Sequence, residues 1–189
     1  MIINFMPQIK VLAICGSLRR DSYNRQLLAV ARKMSEDLGV QVIEADLRKL
    51  VLPLYNEDIE HPDLPTPVKK LKSLVEEADL LLIASPEYNH SISGVLKNAI
   101  DWASRGHDSF RGKVAAICGA SDGPYGTARM QPQLRQILAS LDVIVVPQPQ
   151  VTVRFADKAF NPDGSLIDSK THERLQELIN RAVAMVGKK

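Results

Sequence analysis

Cysteine is nearly missing from this chain: Cys15 and Cys118 are the only two in 189 residues. They lie too far apart for a Cys-x-x-Cys couple or a zinc ribbon, and each sits near the end of an apolar run. Reduced core thiols in a cytoplasmic protein are therefore expected. The chain also has little net charge. Twenty-four Lys and Arg against 22 Asp and Glu leave +2, too balanced to argue for nucleic acid or an anionic membrane surface as partner. Long apolar runs are absent. MIINF at the start is short and Pro7 ends it, so neither a membrane span nor a signal peptide is expected. His61, His90, His107 and His172 fall in scattered polar contexts without ligand spacing, and no metal site is expected. Two phosphate loops are missing as well: G-x-x-x-x-G-K-[ST] of nucleoside triphosphate binders and G-x-G-x-x-G of dinucleotide binders. A phosphatase loop would need Arg six positions after Cys15, where the chain has Asp21.

The stretch from Ile9 to Leu28, IKVLAICGSLRRDSYNRQLL, is informative. Ile9–Cys15 has the continuous apolar character of a strand buried on both faces. From Ser22 onward the apolar residues take helical spacing at Leu27, Leu28, Ala31, Met34 and Leu38. The turn between them, Gly16 to Asp21, precedes a helix start, where unpaired N–H groups and the positive dipole end favour an anion. Ser17, Ser22 and Asn24 can add donors there, and Arg19 or Arg20 a charge-assisted contact. With the other phosphate loops excluded, a monophosphate remains. The alternative is a helix start capped by Ser22 or Asp21 and holding no ligand.

The rest of the chain alternates. Strands are expected at 40–45, 79–85, 113–119 and 143–146. Helices are expected at 68–78, 92–105, 128–141 and 171–186, with Gly39 ending the first helix. Residues 46–67, spaced by prolines, read as one long surface connection. Five strands alternating with helices predict one three-layer α/β sandwich over residues 1–189, with residues 1–8 as an N-terminal extension. Ligands of such sheets lie beyond the carboxyl ends of the strands. The loops there, Ser85–Gly94 and Gly119–Thr127, are rich in Gly, Ser and aromatic residues. A phosphate loop beside two loops able to lie along a flat ring fits the outline of flavin mononucleotide (FMN).

Three motifs carry a resemblance. G-S-L-R-x-x-S-x-N at 16–24, S-P-E-Y-N-H-S-I-S-G-V-L-K-N-A-I-D-W at 85–102 and S-x-G-x-x-G at 121–126 together resemble the NADPH-dependent FMN reductases, in particular their quinone and chromate reductase branch. The resemblance covers the whole chain and implies a flavodoxin-like fold with a five-stranded parallel sheet. It implies that Ser17, Arg19, Ser22 and Asn24 hold the FMN phosphate. Pro86, Glu87, Tyr88 and Asn89 would lie against the flavin ring, with Ser121, Gly123 and Gly126 on its other side. NADPH or NADH would be the electron donor, and Arg105, Arg111 or Arg129 could receive a 2′-phosphate. The oxidant would be a small molecule: a quinone, free flavin, chromate or an azo compound. A homodimer or homotetramer is implied, without choosing between them. Thr127 stands where many members have a second glycine, which leaves the third loop in question.

Plainer roles compete at several positions. His90 could donate a proton to a reduced quinone or only hydrogen-bond in its loop. Trp102 lies on the inner spacing of its helix and is expected in the core. Asp79 and Asp101 read as structural carboxylates. A slightly basic chain with 5 % aromatics suits an open flavin face and ping-pong hydride transfer better than a flavodoxin-type electron carrier. A hydrolase is not expected.

Overall fold

The computed structural model describes residues 8–60, 62–106 and 108–187. His61, His107 and nearly all of the expected N-terminal extension lie outside the described residues. The chain begins with β1 (Lys10–Cys15), α1 (Tyr23–Asp37), β2 (Gln41–Ala45), α2 (Leu47–Leu50), α3 (Thr66–Glu77) and β3 (Leu80–Ala84). It continues with α4 (Gly94–Ala103), β4 (Val114–Ala120), α5 (Met130–Ala139), β5 (Ile144–Val145), β6 (Val151–Val153) and α6 (Ser169–Val186).

The strands pair in parallel in the order β2-β1-β3-β4-β5, and β6 also pairs with β4. Side chains alternate across this sheet, as pleating requires. Val11, Ala13, Leu80, Leu82, Val114 and Ala116 face α1 and α6. Leu12, Ile14, Leu81, Ile83, Ala115 and Ile117 face α3, α4 and α5. Both faces are covered, which is why these strands read as continuous apolar runs rather than alternating ones.

The five expected strand positions are present, and the fifth is in two pieces because the run after Pro147 returns to β4. Strand β5 pairs with Val114 and Ala115, and β6 pairs with Cys118 to Ala120. Prolines at 147 and 149 have no N–H for the ladder, so the edge is interrupted between the two pieces. Residues 46–67 are not all loop. Asp46 accepts a hydrogen bond from Arg48 N at 3.0 Å and starts the one-turn helix α2, and a 3-10 turn covers Glu57–Ile59. Elsewhere the ends move by a residue or two. Leu38, expected on the inner face, is the exposed C-cap of α1, and α4 starts at Gly94 because the Ser93 hydroxyl accepts from Leu96 N.

The plain readings of three residues agree with the structure. Trp102 is fully buried, donates to Pro53 O at 2.8 Å, and meets the Tyr55 ring edge-on at 5.0 Å. Asp79 accepts from Lys10 N at 2.9 Å, and Asp101 pairs with Lys97 on the same helix.

Candidate functional site

Three loops meet where β1, β3 and β4 end. The first leaves Cys15. Gly16 N donates to Ala84 O at 2.8 Å, and the Ser93 hydroxyl donates to Gly16 O at 2.5 Å, so the turn is tied to both β3 and the start of α4. Ser17, Ser22 and Asn24 are all buried. Ser22 sits at the N-cap of α1 without its side chain capping the helix. The leading amides of a helix have no intrahelical acceptor, so the hydroxyls and α1's first N–H groups form a buried donor set. Arg19 is exposed, and its guanidinium lies 4.7 Å from the centre of the Tyr23 ring. Asn24 does something the sequence did not suggest. Its Nδ2 donates to Ala120 O at 2.9 Å, and its Oδ1 accepts from Ala120 N at 2.8 Å. The side chain therefore clasps the end of β4 to α1, and one Nδ2 hydrogen is left for anything else.

The second loop turns back at once. Tyr88 and Ser91 exchange backbone hydrogen bonds of 3.0 Å around Asn89 and His90, both at positive φ (49° and 64°). Two left-handed central residues make the tightest hairpin turn, and Asn is well suited to the first of them. Glu87 reaches across to the third loop. Its Oε2 accepts from Arg129 N and Met130 N, both at 2.9 Å, and so caps α5, which lacks a cap of its own. No local sequence signal announces a cap delivered from 42 positions away. His90 Nε2 lies 3.2 Å from Arg129 Nη1. A guanidinium only donates, so in a hydrogen bond between the two this nitrogen is the acceptor.

The third loop rests on β6. Ser121 N donates to Val153 O at 3.0 Å, and Ala156 N donates to Ser121 O at 3.2 Å. Gly126 has φ +58°, and a Cβ there would stand 3.0 Å from Val153 O. Thr127 causes no strain. It is absent from the left-handed positions, fully buried, and packed where Gly119 has no side chain. The expectation against a hydrolase overlooks one match, because Gly119-Ala120-Ser121-Asp122-Gly123 spells G-x-S-x-G. Its structure is not a nucleophile elbow. No helix begins until Met130, and Ser121 Oγ accepts from Gly123 N at 3.4 Å rather than meeting a base.

Between these loops lies an open cavity of about 250 Å³ lined by Ser17, Arg19, Ser22, Tyr23, Asn24, Pro86, Glu87, Tyr88, Ala120, Ser121 and Asp122. Eight of the eleven expected binding residues are in that lining. Asn89, Gly123 and Gly126 are not; they shape the turns that carry it. Tyr23 and Asp122 also line it, though the sequence did not single them out. Tyr88 and Tyr125 stand exposed on the surrounding loops, and the Arg129 guanidinium lies 4.1 Å from the Tyr125 ring centre. Arg105 and Arg111 are elsewhere. Arg111 precedes β4, at the opposite end of the strands, and pairs with Asp108 and Asp142. Arg105 follows α4 and lies over the Tyr55 ring.

The thiols are inert by environment. Cys15 and Cys118 are both free and buried, and desolvation pushes Cys118 up to about 12 and raises Cys15 as well. Among the described residues there is no group of three or more His, Cys, Asp or Glu that could hold a metal ion, and no helix is long and apolar enough to cross a membrane.

Residues 9–158 match a family model described as NADPH-dependent FMN reductase. The chain is 47 % identical over 170 residues to an NAD(P)H-dependent FMN reductase of Pseudomonas aeruginosa, covering 89 % of this chain and 90 % of that one. It is 38 % identical over 181 residues to a 2-hydroxy-1,4-benzoquinone reductase of a Burkholderia species, covering 94 % and 96 %. Among solved structures, a flavoenzyme NAD(P)H:(acceptor) oxidoreductase from Paracoccus denitrificans superimposes with a TM-score of 0.85 at 35 % identity, covering 95 % of this chain and 98 % of that one.

Proposed function

The chain belongs to the NADPH-dependent FMN reductase family, an oxidoreductase using FMN and NAD(P)H, and on that premise we propose that the three-loop cavity is where FMN sits and where a small oxidant is reduced. The observation that supports this most is the buried donor set at the start of α1. Ser17 and Ser22 bring hydroxyls and the helix end its free amides, and Arg19 adds a positive charge at the rim. That is the chemistry of a phosphate monoester site. The carboxylates in the lining, Glu87 and Asp122, come from the other two loops, and Glu87 is already engaged by α5.

At about 250 Å³ the cavity falls below the roughly 300–1,000 Å³ usual for small-molecule pockets. It is sized for the phosphate and the polyol chain, with the ring against the open rim made by Pro86, Tyr88 and Ser121. When bound, FMN supplies the redox chemistry, taking two electrons from the reduced nicotinamide and passing them to the oxidant. The protein's own residues bind and orient. Asn24 fixes the third loop beside the first, Glu87 fixes the second against the third, and the Asn89 turn holds Tyr88 at the rim. The exposed rim suits two flat molecules using one place in turn. Quinones and free flavins are the oxidants favoured here, with chromate and azo compounds as further classes. We propose a cytoplasmic homo-oligomer, a dimer or a tetramer. Exposed Leu18, Val51 and Leu54 offer apolar surface suited to a subunit contact.

Purified protein should carry one FMN per chain, and anaerobic NAD(P)H should bleach it directly. Double-reciprocal plots at several quinone concentrations should be parallel. Intersecting lines, or a need for a protein electron acceptor, would overturn the shared-place reading.

A further inference from the structure

A second groove lies on the far side of the third loop. It has a volume of about 670 Å³ and runs between Pro124 and Tyr125 on one wall and the segment from β6 to the first turns of α6 on the other. The two spaces share a loop: Ala120 to Asp122 line the three-loop cavity, and Pro124 and Tyr125 line the groove.

Charge and shape in the groove are unusual for this nearly neutral chain. Arg154, Lys158, Lys170 and Arg174 line it against one carboxylate, Asp168. Asp168 is occupied at the start of α6, where it accepts from Thr171 N at 2.9 Å and the Thr171 hydroxyl at 2.6 Å. Arg174 donates to Gln150 O at 2.8 Å. The side chains of Arg154 and Lys158 make no hydrogen bond or ion pair among the described residues. Beside these cations stand two exposed rings, Tyr125 and Phe155. Phe155 has φ 47° and ψ 51°, a left-handed conformation that is a genuine outlier for a bulky side chain. The surrounding backbone imposes it: Ala156 N is tied to Ser121 O at 3.2 Å, and Lys158 N donates to Phe155 O at 2.9 Å. Strain at an exposed aromatic residue is the kind of feature kept for a ligand rather than for packing.

A flat apolar ring carrying several phosphates would match this groove, and the established activity uses such a molecule. We propose that the groove receives the adenosine 2′-phosphate end of NADPH, with the adenine against Phe155 and Tyr125 and the phosphates among Arg154, Lys158 and Lys170. This rests on the three-loop cavity being the FMN site, since the nicotinamide must reach over the third loop to the ring. It makes the groove the determinant of NADPH over NADH, because NADH lacks the 2′-phosphate that an arginine commonly accommodates. It also replaces Arg105 and Arg111, which are at the other end of the sheet.

The test uses FMN-loaded protein. Calorimetric titration should show 2′,5′-ADP, which carries no nicotinamide, binding more tightly than 5′-AMP. The Arg154→Gln/Lys158→Gln variant should lose roughly ten- to a hundred-fold of that affinity, the size expected for charge-assisted contacts. Its kcat/KM ratio for NADPH over NADH should fall by a similar factor. Should that variant not fold, Lys170→Gln, on the exposed first turn of α6, is expected to lower both readouts in the same direction. Equal binding of the two nucleotides by wild type, or an unchanged selectivity ratio in a folded variant, would overturn the proposal. Equal use of NADPH and NADH by a yellow, active wild type would sink this inference alone. A colourless protein that oxidises neither would sink the reading of the three-loop cavity, and the 2′,5′-ADP titration would still decide the groove.

Discussion

The first and third loops line the same cavity but are held in different ways. The first is framed by the elements that flank it in sequence, a buried strand before it and a helix after it, and only Gly16 reaches distant chain, through its N–H to Ala84 O and its carbonyl to the Ser93 hydroxyl. The third is fixed almost entirely by distant chain. Val153 accepts from Ser121, Ala156 donates back to it, Asn24 clasps Ala120, and Glu87 caps the helix that follows. A loop of the first kind can be read from a short stretch of sequence. A loop of the second kind depends on partners 30 to 100 positions away.

Substitutions should expose that difference. The largest effect is expected at Gly119→Ala. A Cβ there would stand 2.4 Å from Ser85 O and 2.5 Å from Thr127 Oγ1, in fully buried surroundings. Overpacking of this kind costs about 3 kcal/mol or more, which lowers Tm by roughly 10 °C for a chain of this size. Adding Thr127→Ala should recover part of the loss, because the Thr127 contacts vanish while the Ser85 carbonyl stays. Full recovery would mean that Ser85 O does not limit the approach of β4 to β3.

Asn24→Ala comes next. It strips partners from a buried N–H and C=O at Ala120, at a cost of about 1–3 kcal/mol. FMN retention through dialysis should fall with it, since the first and third loops would separate. Normal retention at lowered Tm would make the clasp structural only. Glu87→Ala removes the borrowed cap of α5 and should cost about 1 kcal/mol in thermal unfolding. Glu87→Gln, which keeps an acceptor oxygen, should recover most of it. The smallest stability effect is expected at Asn89→Gly. A left-handed turn position accepts Gly easily, so Tm should stay within about 1 °C, whereas Asn89→Ala should lose about 1 kcal/mol.

Legibility in the sequence follows the same division. Strands β1, β3 and β4 were visible because burial on both faces leaves uninterrupted apolar runs, and the helices because one apolar face repeats every three or four residues. Strand β6 was hidden: Val151–Val153 is three residues long and follows two prolines, and only its pairing with Cys118–Ala120 makes it a strand. Ser17 and Ser22, proposed here to hold the phosphate, could be picked from their place at a strand-to-helix turn. Asn24 could be picked from the same turn, but its clasp on Ala120 has no local sign. Thr127 looked like a problem in sequence because glycine was expected, yet its backbone is not left-handed and Gly119 makes room for its side chain. The cationic groove draws on Tyr125, Arg154, Lys158 and Lys170, which no spacing rule joins.

The central claim is that the start of α1 holds the phosphate of FMN. Riboflavin is the same molecule without that phosphate, so the ratio of FMN to riboflavin affinity isolates this contact. Wild-type protein should bind FMN at least about a hundred-fold more tightly than riboflavin, given several phosphate contacts of which each charge-assisted one contributes roughly 1.5–3 kcal/mol. Arg19→Ala should shrink the ratio about ten-fold or more while leaving riboflavin affinity and Tm unchanged. Equal affinity for the two flavins, or a ratio unmoved by Arg19→Ala, would contradict the account.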